Sequence, residues 1–256
     1  MESEGGESPC SKTPFRSTHS AQRSYEPSVA SLDELALDVV AQGDNCSSQP
    51  VSVSATRRSE PGESVCTIPL TVENPKLWTT WDLGDQNLYR VDVSVHDGSD
   101  FQDRERQSFA IRDLEMAMNP GWSPEEVEYP WTVMLNGRRH YMRSACWGGP
   151  PDMFTGRATE AMYREYIRLA KEANINNLRI FCWHPPEIPL FYRLCDEAGI
   201  TVWQDFSLSH YLYPRDRETI EKIFAESIDV VKQIRNNPSV IFLSGGEEIL
   251  YHVSDD

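Results

Sequence analysis

The hydrophobic pattern of the chain changes period twice. Residues 1–32 carry Ser, Gly, Pro and charge with almost no apolar periodicity. A segment of that composition cannot recover its ordering entropy by burial, so disorder is predicted there. From Leu35 apolar residues recur at every second position. Leu35, Leu37 and Val39 come first, then Val51, Val53 and Ala55 set between serines, then Ile68, Leu70 and Val72. Tyr89, Val91, Val93 and Val95 alternate with Arg90, Asp92, Ser94 and His96 up to the turn Asp97-Gly98, and Phe109 to Ile111 follows. A period of two predicts strands. Short strands separated by polar turns predict an antiparallel, immunoglobulin-like β-sandwich over residues 33–115.

Residues 116–130, with Asn119-Pro120-Gly121 and several glutamates, read as a linker. Val133 to Leu135, the turn Asn136-Gly137 and Tyr141 to Ala145 then predict a hairpin. Beyond it strands and helices alternate. A helix is predicted from about Thr159 to Ala173, with Met162, Tyr166, Leu169, Ala170 and Ala173 as its core stripe. A second runs from near Pro186 to the stop at Gly199, and a third from the N-cap Asp216 with Ile220, Ile223, Phe224, Ile228, Val231 and Ile234 on one face. Strands are predicted at Asn177 to Phe181, Ile200 to Phe206 and Val240 to Leu243. Four β/α steps over residues 131–256 predict a parallel sheet with right-handed crossovers.

Composition narrows the partners. A formal charge of −16 argues against nucleic acid and anionic membrane surfaces. No window approaches the eighteen or so apolar residues of a membrane span, and no apolar leader opens the chain, so a cytoplasmic location is the default expectation. The six cysteines have no C-x-x-C spacing, so reduced thiols are expected in place of a zinc site or disulfide framework.

The strand ends carry the chemistry. If the four strands are parallel, Arg143 and Trp147, then Arg179, Trp183, His184 and Glu187, then Trp203, Gln204, Asp205 and His210, then Glu247 and Glu248 converge on one rim. Aromatic plates beside carboxylates and an arginine suit a pyranose, whose C–H face packs on a ring and whose hydroxyls need charged partners. The bland alternative makes the tryptophans core lids and the two glutamates the acidic start of a helix. A metal site from His184, His210, Asp205 and Glu187 lacks any supporting H-x-H or H-E-x-x-H spacing, so no metal is expected.

Co-linear motifs sharpen this reading. They are Val72-Glu73-Asn74-Pro75-Lys76-Leu77-Trp78, Trp81-Asp82-Leu83-Gly84, Asn87-Leu88-Tyr89, Arg143 to Trp147, Asn177-Leu178-Arg179, Leu194 to Ile200, Val202 to Phe206 and Arg235-Asn236-Asn237-Pro238-Ser239. With them the chain resembles glycoside hydrolase family two, in its β-mannosidase and exo-β-glucosaminidase branch. The resemblance implies that residues 131–256 are the first half of a (β/α)8 TIM barrel. It also implies a retaining exo-β-glycosidase of β-mannosidase type, carbohydrate as partner and no cofactor. Glu248 matches the family's proton donor. Arg143, Trp147, Arg179, Trp183, Trp203, Asp205 and Glu247 are expected to bind substrate. Glu247 and Cys146 stand where the family has Asn, and neither reproduces an amide's hydrogen bonding. A complete barrel takes about 250 residues, and the family's nucleophile belongs to its seventh strand. The expectation is therefore a catalytically incomplete fragment. The competing expectation is a non-catalytic carbohydrate-binding or interaction half-barrel that self-associates through unpaired sheet edges.

Overall fold

The structure is a computed structural model, and it describes residues 35–58, 65–98, 100–129, 131–149, 157–209 and 213–248. The segment expected to be disordered lies outside the described residues, as does His210. The chain divides into two compact units. One gathers the described parts of Met1–Val40, Val51–Asn74 and Asp92–Glu105, the other those of Ala41–Pro50, Pro75–Val91 and Arg106–Asp256.

The strands β1 (Leu35–Gly43), β2 (Val51–Arg57), β3 (Tyr89–Asp97) and β4 (Asp100–Phe109) form an antiparallel sheet in the order β2-β1-β3-β4. Three of them follow the alternation read from the sequence. The fourth does not: β4 is Asp-Phe-Gln-Asp-Arg-Glu-Arg-Gln-Ser-Phe, exposed along nearly all its length. Its residues are held by ladder hydrogen bonds to a neighbour and not by burial, so hydropathy gives no sign of it. The strand expected at Phe109 to Ile111 is therefore only the last residue of β4. Ile68 to Val72 alternates as predicted but joins no ladder.

In the second unit β5 (Leu114–Ala117), β6 (Thr132–Leu135) and β7 (Arg138–Arg139) make a three-stranded antiparallel sheet. Asn136 and Gly137 turn β6 into β7 with φ of 52° and 72°, the left-handed pair of a type I′ turn. Met116 and Ala117, read as the start of a linker, belong to β5. The predicted parallel sheet follows: β8 (Ser144–Trp147), β9 (Asn177–Ile180), β10 (Thr201–Asp205) and β11 (Val240–Ser244), each beside the next in chain order. Helices α1 (Glu160–Glu172), α2 (Pro189–Ala198) and α3 (Arg217–Ile234) connect them.

The helix ends obey local chemistry. Thr159 caps α1, Pro189 opens α2, and the Asp216 carboxylate accepts from the Thr219 backbone N–H at 2.9 Å to cap α3. Gly199 ends α2 at φ 71°, and a Cβ there would stand 2.6 Å from the Trp81 backbone nitrogen. Two independent demands thus fix it as glycine. The core lies between the sheet and α1 and α2, around Trp147, Tyr163, Phe191, Tyr192, Ile180 and Val202. Each such side chain contributes on the order of 1.5–3 kcal/mol by leaving water. The buried face of α1 is Tyr163, Ile167 and Ala170, turned from the predicted stripe, whose Tyr166 and Leu169 are exposed. On α3 only the C-terminal Val230 and Ile234 are buried, and Ile220, Phe224 and Ile228 are open to solvent.

The segment Pro75–Val91, read from the sequence as part of the sandwich, belongs to the same compact unit as the α/β sheet, although its last three residues open β3. The wholly buried Trp78 donates from Nε1 to the Asp196 carbonyl at 2.8 Å, and the Trp81 backbone N–H donates to the Gly199 carbonyl at 3.1 Å.

Candidate active site

Register decides which side chains share a face. Cys146 lies opposite Arg179, Arg179 opposite Trp203, and Trp203 opposite Phe242. Since successive side chains alternate, these four and Asp205 point to one side of the sheet. Trp147, Ile180 and Gln204 point to the other, against the helices. The carboxyl ends of β9, β10 and β11 therefore deliver Arg179, Asp205 and, just beyond, Glu247 to one place.

There the charges are tightly knit. Arg179 donates to Asp205 Oδ2 from Nη2 at 2.6 Å and from Nε at 3.1 Å, and its Nη1 lies 3.3 Å from Glu247 Oε1. Partial burial acts against the guanidinium charge, but the hydrogen bonds and charges of Asp205 and Glu247 outweigh it and raise the Arg179 pKa. The guanidinium also lies over the Trp203 ring, 5.2 Å from its centroid. Glu247 is anchored by its backbone, which donates to the Leu208 carbonyl at 3.0 Å. Trp183, more than half exposed, donates from Nε1 to Ser209 Oγ at 2.5 Å beside the Ser209–Glu247 bridge. Glu248 is exposed and holds φ at 53°, a left-handed conformation that a glutamate seldom adopts without a surrounding demand.

Several of the expected rim residues lie elsewhere, among them Arg143, Trp147, Glu187 and Gln204. Arg143 precedes β8 and so sits at the amino end of the sheet. It donates from Nε to the Asn174 carbonyl at 2.6 Å and from Nη2 to Asp82 at 2.9 Å, and lies over Trp81. A strand that starts at Tyr141 would carry Arg143 toward its carboxyl end, whereas the strand begins at Ser144. Trp147 does end a strand, but on the helix-facing side. It is buried against Tyr163 and Phe191 and donates from Nε1 to Glu187 Oε1 at 2.8 Å. Glu187 is equally a core group, also accepting from the Tyr163 hydroxyl at 2.6 Å. The surroundings of Trp147 are those of the bland alternative, a core lid.

One member of the site escaped the sequence reading. Cys182, two residues beyond β9, is buried with Sγ 3.3 Å from Glu247 Oε2. Burial, together with the Glu247 and Asp205 charges, pushes its thiol pKa up. Its position just past a strand end is the signal the sequence holds, since C-x-x-C spacing carries none. Among the described residues His184 and Glu187 approach to 3.5 Å but are not gathered with Asp205 into a ligand set.

Known proteins agree with this architecture. The description "Glycosyl hydrolases family 2" matches residues 20–112, and "Glycosyl hydrolases family 2, TIM barrel domain" matches residues 132–254. The chain is 30% identical over 245 residues to beta-mannosidase A of Aspergillus aculeatus, covering 90% of this chain and 25% of that protein. It is 28% identical over 216 residues to beta-mannosidase B of Thermothelomyces thermophilus, covering 84% and 24%. The solved beta-D-mannosidase of Dictyoglomus thermophilum superposes with a TM-score of 0.76 at 27% identity, over 90% of this chain and 29% of that one. The chain thus spans about a quarter of the length of the curated relatives it matches. With the family's sandwich domain followed by the start of its TIM barrel domain, the chain belongs to glycosyl hydrolases family 2.

Proposed function

We propose that this chain supplies the proton-donor side of a retaining exo-β-glycosidase acting on terminal β-mannosides, with Glu248 as acid/base. The observation that carries the reading is the pair Glu247-Glu248 just past the carboxyl end of a parallel strand, beside the Arg179–Asp205 pair. The names of the relatives supply the sugar class. In this mechanism Glu248 gives its proton to the glycosidic oxygen as the anomeric bond breaks, then takes a proton from the water that releases the sugar. Arg179, Asp205 and Glu247 hold the sugar hydroxyls, and Trp203 and Trp183 offer apolar faces to the ring. Glu247 is engaged by Arg179 and Cys182, which fits an orienting group better than a nucleophile. A retaining site needs a second carboxylate about 5–5.5 Å from the first, and this reading assigns it to a part of the barrel outside these 256 residues.

The purified chain is then expected not to turn over an aryl β-mannoside by itself. It should do so when the later half of a family 2 barrel is supplied as a second chain, and Glu248→Gln should abolish that turnover. Robust turnover by the chain alone would sink the division of labour. Complemented turnover unaffected by Glu248→Gln would sink the donor assignment.

The competing reading, an interaction half-barrel, draws on the exposed Ile220, Phe224 and Ile228 of α3 and on Leu243 of β11. A well-folded monomer in sedimentation at micromolar concentration would count against it, and a specific dimer for it.

A further inference from the structure

Three consecutive strand ends bring three ligating groups to one point. The Cys182 thiol follows β9, Asp205 closes β10 and Glu247 follows β11, and one ligand atom from each lies within 4.8 Å of the others. Around Zn²⁺, with bonds of about 2.3 Å to sulfur and about 2.0–2.2 Å to oxygen, tetrahedral ligands stand on the order of 3.5 Å apart. Cys182 Sγ and Glu247 Oε2 are already at 3.3 Å. Glu247, the more exposed of the three, has the rotamer freedom to close the rest.

A second observation points to a ligand. Asp205 is wholly buried, Arg179 occupies its Oδ2, and its Oδ1 has no hydrogen-bond partner among the described residues. A desolvated carboxylate oxygen without a donor costs free energy until a proton donor or a cation meets it. The neighbouring sulfur selects between these. A thiol is a weak partner for a sugar hydroxyl, whereas a thiolate is a strong ligand for Zn²⁺ and similar ions. Charge agrees: one thiolate and two carboxylates set against the Arg179 guanidinium leave two negative charges for a divalent ion to balance.

We propose that Cys182, Asp205 and Glu247 bind a thiophilic divalent cation of the Zn²⁺ and Cd²⁺ class. On binding, the S–H bond of Cys182 gives way to a sulfur–metal bond and the proton leaves to solvent, with no change of oxidation state. The ion uses the carboxylates that the glycosidase reading assigns to sugar hydroxyls. On that reading it is an inhibitor that competes with sugar, but binding itself does not depend on the reading.

The test uses the full chain, reduced and without sugar. Cd²⁺ is titrated while the ultraviolet thiolate-to-cadmium band is followed, and Zn²⁺ is then added as competitor. One Cd²⁺ per chain is expected, displaced by Zn²⁺. The band should vanish in Cys182→Ala, with the other cysteines retained. Since loss of a group merely supporting a metal ligand costs roughly tenfold or more in affinity, loss of a ligand should cost no less, so Glu247→Gln and Asp205→Asn should each weaken binding at least about tenfold. An unchanged band in Cys182→Ala overturns the proposal. So does a band that depends on Cys182 but is indifferent to both carboxylate variants, which would be a lone thiol. Should Cys182→Ala fail to fold, Glu247→Gln, at a partly exposed position, decides by the same criterion. None of these readouts involves turnover, so failure here leaves the glycosidase reading to its own test.

Discussion

The two ends of the parallel sheet are built from the same kinds of side chain and use them differently. At the amino end Arg112, Asp196 and Arg143 are engaged in holding the fold. Arg112 donates from Nε to the Pro238 carbonyl at 2.6 Å and from Nη2 to the Val240 carbonyl at 2.7 Å, fixing the start of β11. The buried Asp196 accepts from Asn237 Nδ2 at 2.6 Å and from the Ser239 backbone at 3.0 Å. Arg143 is divided between Asn174 and Asp82. The unpartnered buried atoms near this end are neutral: Thr80 Oγ1, Ser239 Oγ and His140 Nδ1. At the carboxyl end a carboxylate oxygen, Asp205 Oδ1, is left over, along with Trp203 Nε1. An arginine–carboxylate pair therefore says little about function. Residual capacity of a buried charged group says more, because structure alone gives no reason to leave it unmet.

The largest expected effect tests the residue that would blur the contrast. Trp147 ends a strand at the carboxyl end but faces the helices. Trp147→Ala should cost about 3–5 kcal/mol in urea unfolding of the chain, as a cavity between Tyr163 and Phe191 that also strips Glu187 of a donor. A cost under about 1 kcal/mol would return Trp147 to the rim. Asp196→Ala comes next. It strands the Ser239 N–H and the Asn237 amide, and about 2–4 kcal/mol of destabilisation is expected by the same measurement.

Asp196 also gives the amino end a pH signature. Burial first, against the opposing hydrogen bonds of Ser239 and Asn237 and the Arg112 charge, raises its pKa from 3.8 to about 7. A carboxyl raised on folding binds its proton more tightly in the native state. Its contribution to stability is thus full below about pH 4 and is lost as pH rises through about 7. Between those limits the loss is about 1.4 kcal/mol per pH unit. Burial lowers the His140 pKa and gives a trend of opposite sign, but that is common to parent and variant. The difference between the parent and Asp196→Asn, measured from pH 4 to 8, should therefore slope as stated. A flat difference would mean that Asp196 is ionised throughout. Arg143→Lys should cost less, about 1–2 kcal/mol, since a lysine cannot serve Asn174 and Asp82 together while lying over Trp81.

The order of β/α elements, their caps and the convergence of strand ends were legible because each rests on local signals: Asp216 before a helix, Gly199 after one, Asn136-Gly137 in a turn. What was hidden depended on register and on pairing. Strand parity, and not strand-end position, decides that Trp203 faces the site while Trp147 faces the core. Arg143 falls at the amino end of the sheet, and not among the strand ends, because β8 begins at Ser144 and not at Tyr141. The hydrophilic β4 has no periodic signal at all, since its partner is a backbone. Cys182 was unreadable for a related reason. Its partners Asp205 and Glu247 lie on separate strands, and only parallel pairing makes them neighbours.

The smallest expected effect is the sharpest test of the contrast between the ends. Asp205→Asn removes a charge that is wholly buried and half unmet, while Arg179 keeps Glu247 as a partner and part of its exposure. Burying a carboxylate is costly, and removing one partner of an ion pair is strongly destabilising only where the other charge is left buried and unpaired, which Arg179, partly exposed and still beside Glu247, is not. Unfolding should therefore shift by less than about 1 kcal/mol, in either direction, even though Asp205 is as buried as Asp196. A site kept for function is expected to carry such a trade, with stability indifferent to the change and ligand binding dependent on it. If Asp205→Asn instead unfolds the chain as Asp196→Ala does, the two ends are both structural, and the reason for placing a site at one of them is gone.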